Sequence, residues 1–395
     1  MHSDPLSTRP ALLFYCQHSL GIGHLTRSFA LATALAQAFH VVFLNGGRLP
    51  PGLPVPHDIE IIDLPPLGMD DGHTVVSRGA EYDVAQAQVQ RRALIDAAVQ
   101  RVRPAVLLVE LFPFGRKKFA GEILSMIRGA KRQPGAPARV VCSLRDILVD
   151  ARPDQQRHDD RARGLTDRYF DAVLVHADPA LARLEDSFKP RRPMHTPVHY
   201  TGYVVPARAA VAAVPRGEHL LVSAGGGIVG DALLRTALQA RTLMTESTQQ
   251  PPPMRLIAGP FLPEPQWLAL QEAVRGMPGV ELLRQVPDMV AEMALARASI
   301  SQCGYNTALD IIVAQVPALV VPYATKTENE QGERATRLAA LGALQQLDAA
   351  ALEPQRLADA METLLTFTPR AAALGLDGAA ESARRMQQLL SGQTA

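Results

Sequence analysis

Three cysteines are all that this 395-residue chain carries: Cys16, Cys142 and Cys303, far apart and odd in number. That argues against a disulfide framework and against a CxxC metal site, and it suits a reducing cytoplasm. An excess of charge is also missing, because 40 basic side chains meet 39 acidic ones and leave a formal net charge of +1. Nucleic-acid binding needs a concentrated basic face to neutralise phosphates, so no nucleic-acid partner is expected. No apolar run approaches the roughly 20 residues that span a bilayer. The first ten residues, MHSDPLSTRP, have neither the basic n-region nor the apolar h-region of a signal peptide. A soluble, cytoplasmic protein is expected, and peripheral contact with the inner face of a membrane is compatible with that. Short tandem repeats, low-complexity tracts and an Asp-x-Asp metal motif are absent as well.

What is present is a core-building composition, 47% hydrophobic and 20% charged. It predicts packed globular structure rather than disorder. Dividing the length by about 150 gives two or three domains. Apolar runs of strand length alternate with longer amphipathic stretches. Strands are expected at 11–16, 40–44, 59–64, 105–110, 139–143 and 172–176, with a helix at 24–39. Continuous apolar runs of this kind suit strands covered on both faces. The pattern restarts after a Pro- and Ala-rich connector at 204–215. Further strands are expected at 219–223, 254–258, 280–283, 299–301 and 318–321. Strands separated by helices imply parallel sheets with right-handed crossovers. The expected fold is α/β, with two Rossmann-like domains facing a central cleft. Their bounds are 1–206 and 207–377, and a last helix within 378–395 returns to the N-terminal domain.

Ligands of open parallel sheets bind beyond the carboxyl ends of the strands, so the loops there carry the chemistry. The first, Gly21-Ile-Gly-His-Leu-Thr-Arg27, lacks the third glycine of the dinucleotide fingerprint, which disfavours a redox enzyme. Gly21 and Gly23 still let the backbone approach a ligand. His24, at the helix start, suits a general base toward a hydroxyl. Its plainer role is a capping or buried structural histidine. The run Ala224-Gly-Gly-Gly-Ile-Val-Gly230 exposes backbone N–H groups through Gly225, Gly226 and Gly227, as a diphosphate site needs, although a flexible turn has the same composition.

Two loops near the C-terminus complete the set. In Gly304-Tyr-Asn-Thr-Ala-Leu-Asp310, Asn306 or Thr307 caps a helix whose positive end suits a leaving diphosphate, and Asp310 suits a ribose diol. An acid stabilising its own helix start is the simpler account of Asp310. After strand 318–321, Lys326 suits a phosphate, while Glu330 and Gln331 suit sugar hydroxyls; a solvated loop reads much the same. Around Phe112-Pro-Phe-Gly-Arg-Lys-Lys-Phe119, Arg116 suits an anionic acceptor, and the basic-aromatic mixture suits a membrane surface. Arg145 and Asp146 end a strand and are expected on the same acceptor side, as ligands or as a mere ion pair.

These loops, in this order, resemble GT-B glycosyltransferases of the MurG-like and UDP-glycosyltransferase superfamily, in a branch of predicted bacterial enzymes. Gly21-Ile-Gly-His24 resembles the N-terminal loop of that group, and Gly304, Thr307, Asp310, Pro317, Pro322 and Gln331 resemble its C-terminal signature. Segments 112–116, 143–149, 175–179 and 200–204 look like the bacterial branch. The chain departs from the pattern at Gln302 and Cys303, which replace an Arg and a small residue, and at Asp310, which is shorter than the usual Glu. The resemblance implies an inverting, metal-independent transfer of a sugar from a nucleoside-diphosphate sugar, UDP favoured, to an unidentified acceptor hydroxyl, with no cofactor. It implies His24 as base, the helix near Asn306 for the diphosphate, Asp310 for the ribose, and Glu330 with Gln331 for the sugar. A nucleotide-sugar 2-epimerase and a non-catalytic nucleotide-sugar-binding protein are the alternatives.

Overall fold

The computed structural model describes residues 9–18, 23–50, 53–70, 74–149, 152–206, 215–247, 251–325 and 329–392. The chain forms two compact units. One comprises Met1–Leu148, Arg152–Ala207 and Leu374–Ala395, the other Val149–Ala151 and Arg208–Ala373.

The first unit alternates strands and helices in chain order: β1 (Ala11–Cys16), α1 (Gly23–Leu35), β2 (His40–Asn45), β3 (Glu60–Asp63), β4 (Leu67–Asp70), β5 (Thr74–Ser77), α2 (Val84–Val102) and β6 (Val106–Glu110). It continues through α3 (Ala120–Lys131), β7 (Arg139–Arg145), α4 (Gln155–Tyr169), β8 (Ala172–His176), α5 (Leu184–Ser187) and β9 (Val198–Tyr200). Among the described residues β3-β2-β1-β6-β7-β8-β9 form one sheet, and every pairing in it is parallel. The central strands are buried on both faces, Leu12 to Cys16 at 0% exposure, which is why they read as unbroken apolar runs. The hairpin of β4 and β5 and the short strand β9 carry no such run, and the sequence reading passes over them.

The second unit holds β10 (Leu220–Ser223), α6 (Asp231–Ser247), β11 (Met254–Ile257), α7 (Glu264–Val274), β12 (Val280–Leu283), α8 (Met289–Leu295) and β13 (Ala298–Ser301). Then come α9 (Tyr305–Ala314), β14 (Ala318–Val320), α10 (Glu330–Ala340), β15 (Gln345–Gln346) and α11 (Pro354–Leu364). Its parallel sheet has the order β12-β11-β10-β13-β14-β15. Leu234, Ala237 and Leu238 of α6 and Leu357, Met361 and Leu364 of α11 close one face of it. The two-residue β15 carries only glutamines and has no apolar signature. Of the expected connector, residues 207–214 lie outside the described set.

The chain then returns to the first unit as α12 (Gly378–Ser391). Ala379, Ala383, Met386 and Leu390 form one helical stripe and join the core made by Leu25, Phe29 and Ala32 of α1. The entry is clamped by one side chain and two backbone bonds: Gly375 N donates to Asp178 Oδ2 at 2.8 Å, Tyr203 N to Gly375 O at 2.8 Å, and Gly378 N to Tyr203 O at 3.0 Å. No helix among the described residues is long and apolar enough to cross a membrane. Met386 is 1% exposed, so Met386→Ala is expected to cost about 2–5 kcal/mol, read by urea unfolding of the full chain.

Candidate active site

Each sheet reverses its strand order at one point, and such a switch point is where open α/β sheets leave a crevice at the carboxyl ends of their strands. In the first unit the reversal lies between β1 and β6, in the second between β10 and β13. The described segments meeting there are 17–18, 23–24 and 110–116 in the first unit, and 224–230 and 302–304 in the second.

At the first switch point Glu110 ends β6 with 0% exposure. His24 and Arg27 reach it from one face of α1, three residues apart. His24 Nδ1 stands 2.6 Å, and Arg27 Nη2 2.7 Å, from Glu110 Oε1. Arg116 Nη2 lies 3.5 Å from Oε2. Burial alone would raise the Glu110 carboxyl, but His24, Arg116 and Arg27 overcome it and hold the group well below the usual carboxylate range. Burial lowers His24 to about 4, against the pull of Glu110 and helped by Arg116 and Arg27. The ring is therefore neutral near pH 7. An ionised carboxylate only accepts, so Nδ1 carries the hydrogen and Nε2 the lone pair. The 3.4 Å approach of Arg27 Nη2 to Nδ1 is then a contact between two donors rather than a hydrogen bond. The side chain of His24 is 18% exposed. A neutral imidazole, oriented by a carboxylate and with Nε2 as its acceptor, is the arrangement of a general base.

Buried polar groups brace this pair from behind. Ser143, opposite Glu110 in register, lies 2.7 Å from His176 Nε2, and His176 Nδ1 lies 2.9 Å from Thr201 Oγ1. The Thr201 hydroxyl donates to Gly202 O at 2.9 Å, so it accepts from Nδ1–H and leaves Nε2 to accept from Ser143. Burial lowers His176 to about 3, which keeps that ring neutral too. On the other side Arg91, fully buried, donates to Glu122 Oε2 at 3.0 Å, Gln17 Oε1 at 2.7 Å and Gly46 O at 2.9 Å. It ties α2 and α3 to the loops after β1 and β2.

Other acceptor-side expectations change in the structure. Phe112, Phe114 and Phe119 are buried at 1%, 2% and 5%, so the basic-aromatic segment shows Lys117 and Lys118 to solvent rather than its rings. The aromatic half of a membrane-facing patch is thus spent on the core. Asp146 is fully buried, so its carboxylate is enclosed by protein, whereas Arg145 ends β7 opposite His176 and is partly exposed. Gly23 opens α1, and Gly21 lies outside the described residues.

In the second unit backbone dominates. Gly225 and Gly227 have φ of +56° and +95°, and Gly259 has +89°. A Cβ on Gly227 would stand 2.6 Å from Ala258 O, and one on Gly259 2.5 Å from Gly227 N. The two loops interlock, so Gly227 is demanded by packing whatever ligand is bound. A Cβ on Gly225 would come within 3.7 Å of Thr307 Oγ1, which brings this loop against the start of α9. The helix begins two or three residues earlier than the sequence suggests: Gly304 is the N-cap, with ψ 160° and no side-chain cap, and Asn306 and Thr307 fall in the first turn. Their N–H groups stay with the positive helix end. Asp310 is half-buried further along the same helix.

Gln331 does something its sequence context conceals. Its Oε1 accepts from Cys303 N at 3.0 Å and from Tyr323 N at 3.1 Å, joining the loops after β13 and β14. Arg334, one turn on and 1% exposed, donates to Cys303 O at 2.8 Å and lies 5.9 Å from the centre of the Tyr305 ring. Both backbone polar groups of Cys303 are thus held from α10. Gln302 in turn donates to Val229 O at 3.0 Å. Glu330 opens α10, and Lys326 lies outside the described residues. Sequence reasoning assigned no role to Arg27, Arg91 or Arg334. Their only signal is an arginine inside a helix otherwise patterned for the core, visible for Arg334 between Gly332 and Ala335.

Two Rossmann-like units with reversed strand order define the fold of GT-B glycosyltransferases. The structure of Acinetobacter baumannii MurG aligns with 97% of this chain and 100% of its own, with a TM-score of 0.56 and 17% identity. A UDP-glucosyltransferase from Polygonum tinctorium aligns over 99% and 100%, with a TM-score of 0.57 and 17% identity. Residues 231–390 match the model of the glycosyltransferase family 28 C-terminal domain. The UDP-N-acetylglucosamine--N-acetylmuramyl-(pentapeptide) pyrophosphoryl-undecaprenol N-acetylglucosamine transferase of Mesorhizobium japonicum is 36% identical over 95 residues. That match spans 24% of this chain and 25% of the relative. The chain resembles GT-B glycosyltransferases of the MurG and UDP-glycosyltransferase type, by sequence in its C-terminal part and by fold throughout.

Replacing Gln331 by leucine would leave two backbone N–H groups without their acceptor. Gln331→Leu is expected to cost about 1–3 kcal/mol of stability in urea unfolding, an effect that a solvent-facing sugar ligand would not produce.

Proposed function

We propose that this chain is an inverting, metal-independent glycosyltransferase that moves a sugar from a nucleoside-diphosphate sugar, UDP favoured, to an acceptor hydroxyl. The observation that carries the reading is the neutral His24 held 2.6 Å from the buried Glu110 at a switch point. In the proposed step Nε2 removes the acceptor proton as the acceptor oxygen attacks the anomeric carbon. The bond to the diphosphate breaks on the opposite face, so the configuration inverts. The imidazolium that forms is stabilised by Glu110, and the diphosphate leaves with its bonding electrons; the start of α9 and the loop of Gly225 and Gly226 are its proposed binding groups. Asp310 accepts from the ribose diol, and Glu330 and the Gln331 amide nitrogen lie with the sugar. The match of residues 231–390 to a glycosyltransferase C-terminal domain supports the donor half of this assignment. The reading sets the enzyme in the cytoplasm, on an acceptor met in water or at the inner face of a membrane.

Removing the base or its carboxylate should strike turnover rather than donor binding. His24→Gln and Glu110→Gln are each expected to lower kcat by roughly 10²- to 10⁴-fold while UDP affinity by calorimetry stays within about twofold. Full turnover in His24→Gln would remove it as the base. The pH profile has a set sign. His24 is lowered to about 4 in the fold, so the base form persists until the pH falls toward 4, and the acid limb of kcat should lie well below the 6.5 of free histidine. Stability follows the same direction, since the unfolded chain binds the extra proton between pH 6.5 and 4 and the folded state loses ground as pH falls through that window. For the donor side, Asp310→Ala is expected to weaken UDP binding about tenfold, and unchanged affinity would take Asp310 out of the site.

A further inference from the structure

Arg116 stands beside the candidate base in a position its own hydrogen bonds do not explain. Its Nε and Nη2 are buried and form none, and the nearest acid oxygen, Glu110 Oε2, is 3.5 Å from Nη2 and forms none either. Yet the side chain is only 14% exposed. Buried guanidinium donors are normally matched, and unmatched ones mark a functional role or a bound group.

The backbone beneath it is strained in the same place. Leu111 and Arg116, the ends of the turn that leaves β6, have φ of +64° and +58°. Neither is glycine, and a non-glycine residue with positive φ is uncommon and costs backbone energy. Packing enforces it. Phe112 and Phe114 are buried, Gly115 N donates to Leu111 O at 2.9 Å, and Phe119 N donates to Arg116 O at 2.9 Å. Strain held by its surroundings collects where a side chain has to be aimed. What it aims here is a guanidinium, toward Glu110.

Around Glu110 two guanidinium groups, Arg27 and Arg116, face one carboxylate, while burial keeps His24 neutral. Within this contact set one positive charge is in excess, and Arg116 is the member whose buried Nε and Nη2 form no hydrogen bond. Arginine is the side chain whose planar fork matches a carboxylate or phosphate with two parallel hydrogen bonds.

We infer that Arg116 binds an oxyanion carried by the acceptor, a carboxylate or a phosphate close to the hydroxyl that His24 deprotonates. That the oxyanion belongs to an acceptor rests on the transferase reading; the anion site itself does not. The bound group would neutralise the surplus charge and give Arg116 the hydrogen bonds it lacks. It would also select acidic acceptors over neutral ones of the same shape.

Calorimetry on the full chain with glucuronate, glucose 6-phosphate and glucose tests this, with UDP as a separate titration. The unaltered protein is expected to bind glucuronate or glucose 6-phosphate about 10- to 100-fold more tightly than glucose, the range of one or two charge-assisted hydrogen bonds. Arg116→Met should erase that preference, Arg116→Lys should keep part of it, and UDP affinity should be the same in all three proteins. A wild-type protein with no preference for the acids overturns the inference without needing a variant. So does a preference that survives in a folded Arg116→Met. A matching loss of UDP affinity overturns it as well, because the oxyanion would then be the donor's diphosphate. If the unaltered chain binds the acids but no nucleoside diphosphate, the transferase reading fails while the anion site stands.

Discussion

A carboxylate with no exposure to water has to be answered by cations and donors, and Glu110 is answered from three directions. His24 and Arg27 come from one face of α1, and Arg116 comes from the turn after β6. Removing one partner of such a buried cluster leaves charge unmatched, and breaking a buried pair is far more costly than breaking one at the surface. The cluster therefore fixes much else. It holds α1 to the end of β6 through His24 and Arg27, sets the tautomer of His24, and gives the turn from Leu111 to Arg116 a guanidinium facing the same carboxylate. The row of Ser143, His176 and Thr201 lies against it and keeps its own histidine neutral.

The second unit uses the same strand order and solves a different problem. Its switch point offers no buried acid with cations around it among the described residues. It offers backbone at close range, through glycines that allow two loops to interlock and through a helix whose N-cap is itself a glycine. Backbone N–H groups bind a diphosphate only if the loop carrying them cannot relax away. The clamp from Gln331 and Arg334 onto Cys303 meets that need, and it acts directly behind the first turn of α9. In the proposed reaction one unit thus supplies side-chain acid-base chemistry and the other a preorganised electrostatic site.

Much of the architecture is legible from local pattern. Strands buried on both faces must be apolar throughout, so runs such as Leu12 to Cys16 stand out, and α12 shows its stripe through Ala379, Ala383 and Met386. Elements that depend on their neighbours leave no such trace. The strand Gln345–Gln346 is two glutamines that pair with β14, and α9 starts at Gly304 although Asn306 and Thr307 are stronger capping residues by type. The reason is tertiary: Gln331 and Arg334 of α10 hold both backbone polar groups of Cys303, the residue just before the cap, and so fix where the helix can begin.

The sequence by itself determined the two α/β repeats, the positions of the loops after their strands, and the presence of His24, Arg116, Asp310 and Gln331 in them. Those follow from periodicity and from residue type, which are local properties. Only the tertiary structure decided what each of them faces. It joined His24 to Glu110 across 86 positions of chain. It turned the phenylalanines of the 112–119 segment inward, enclosed Asp146, and gave the oxygen of Gln331 to two backbone amides. Charge, tautomer and hydrogen-bond supply depend on distance in space and on exclusion of water, and neither is written in the spacing of residues along the chain.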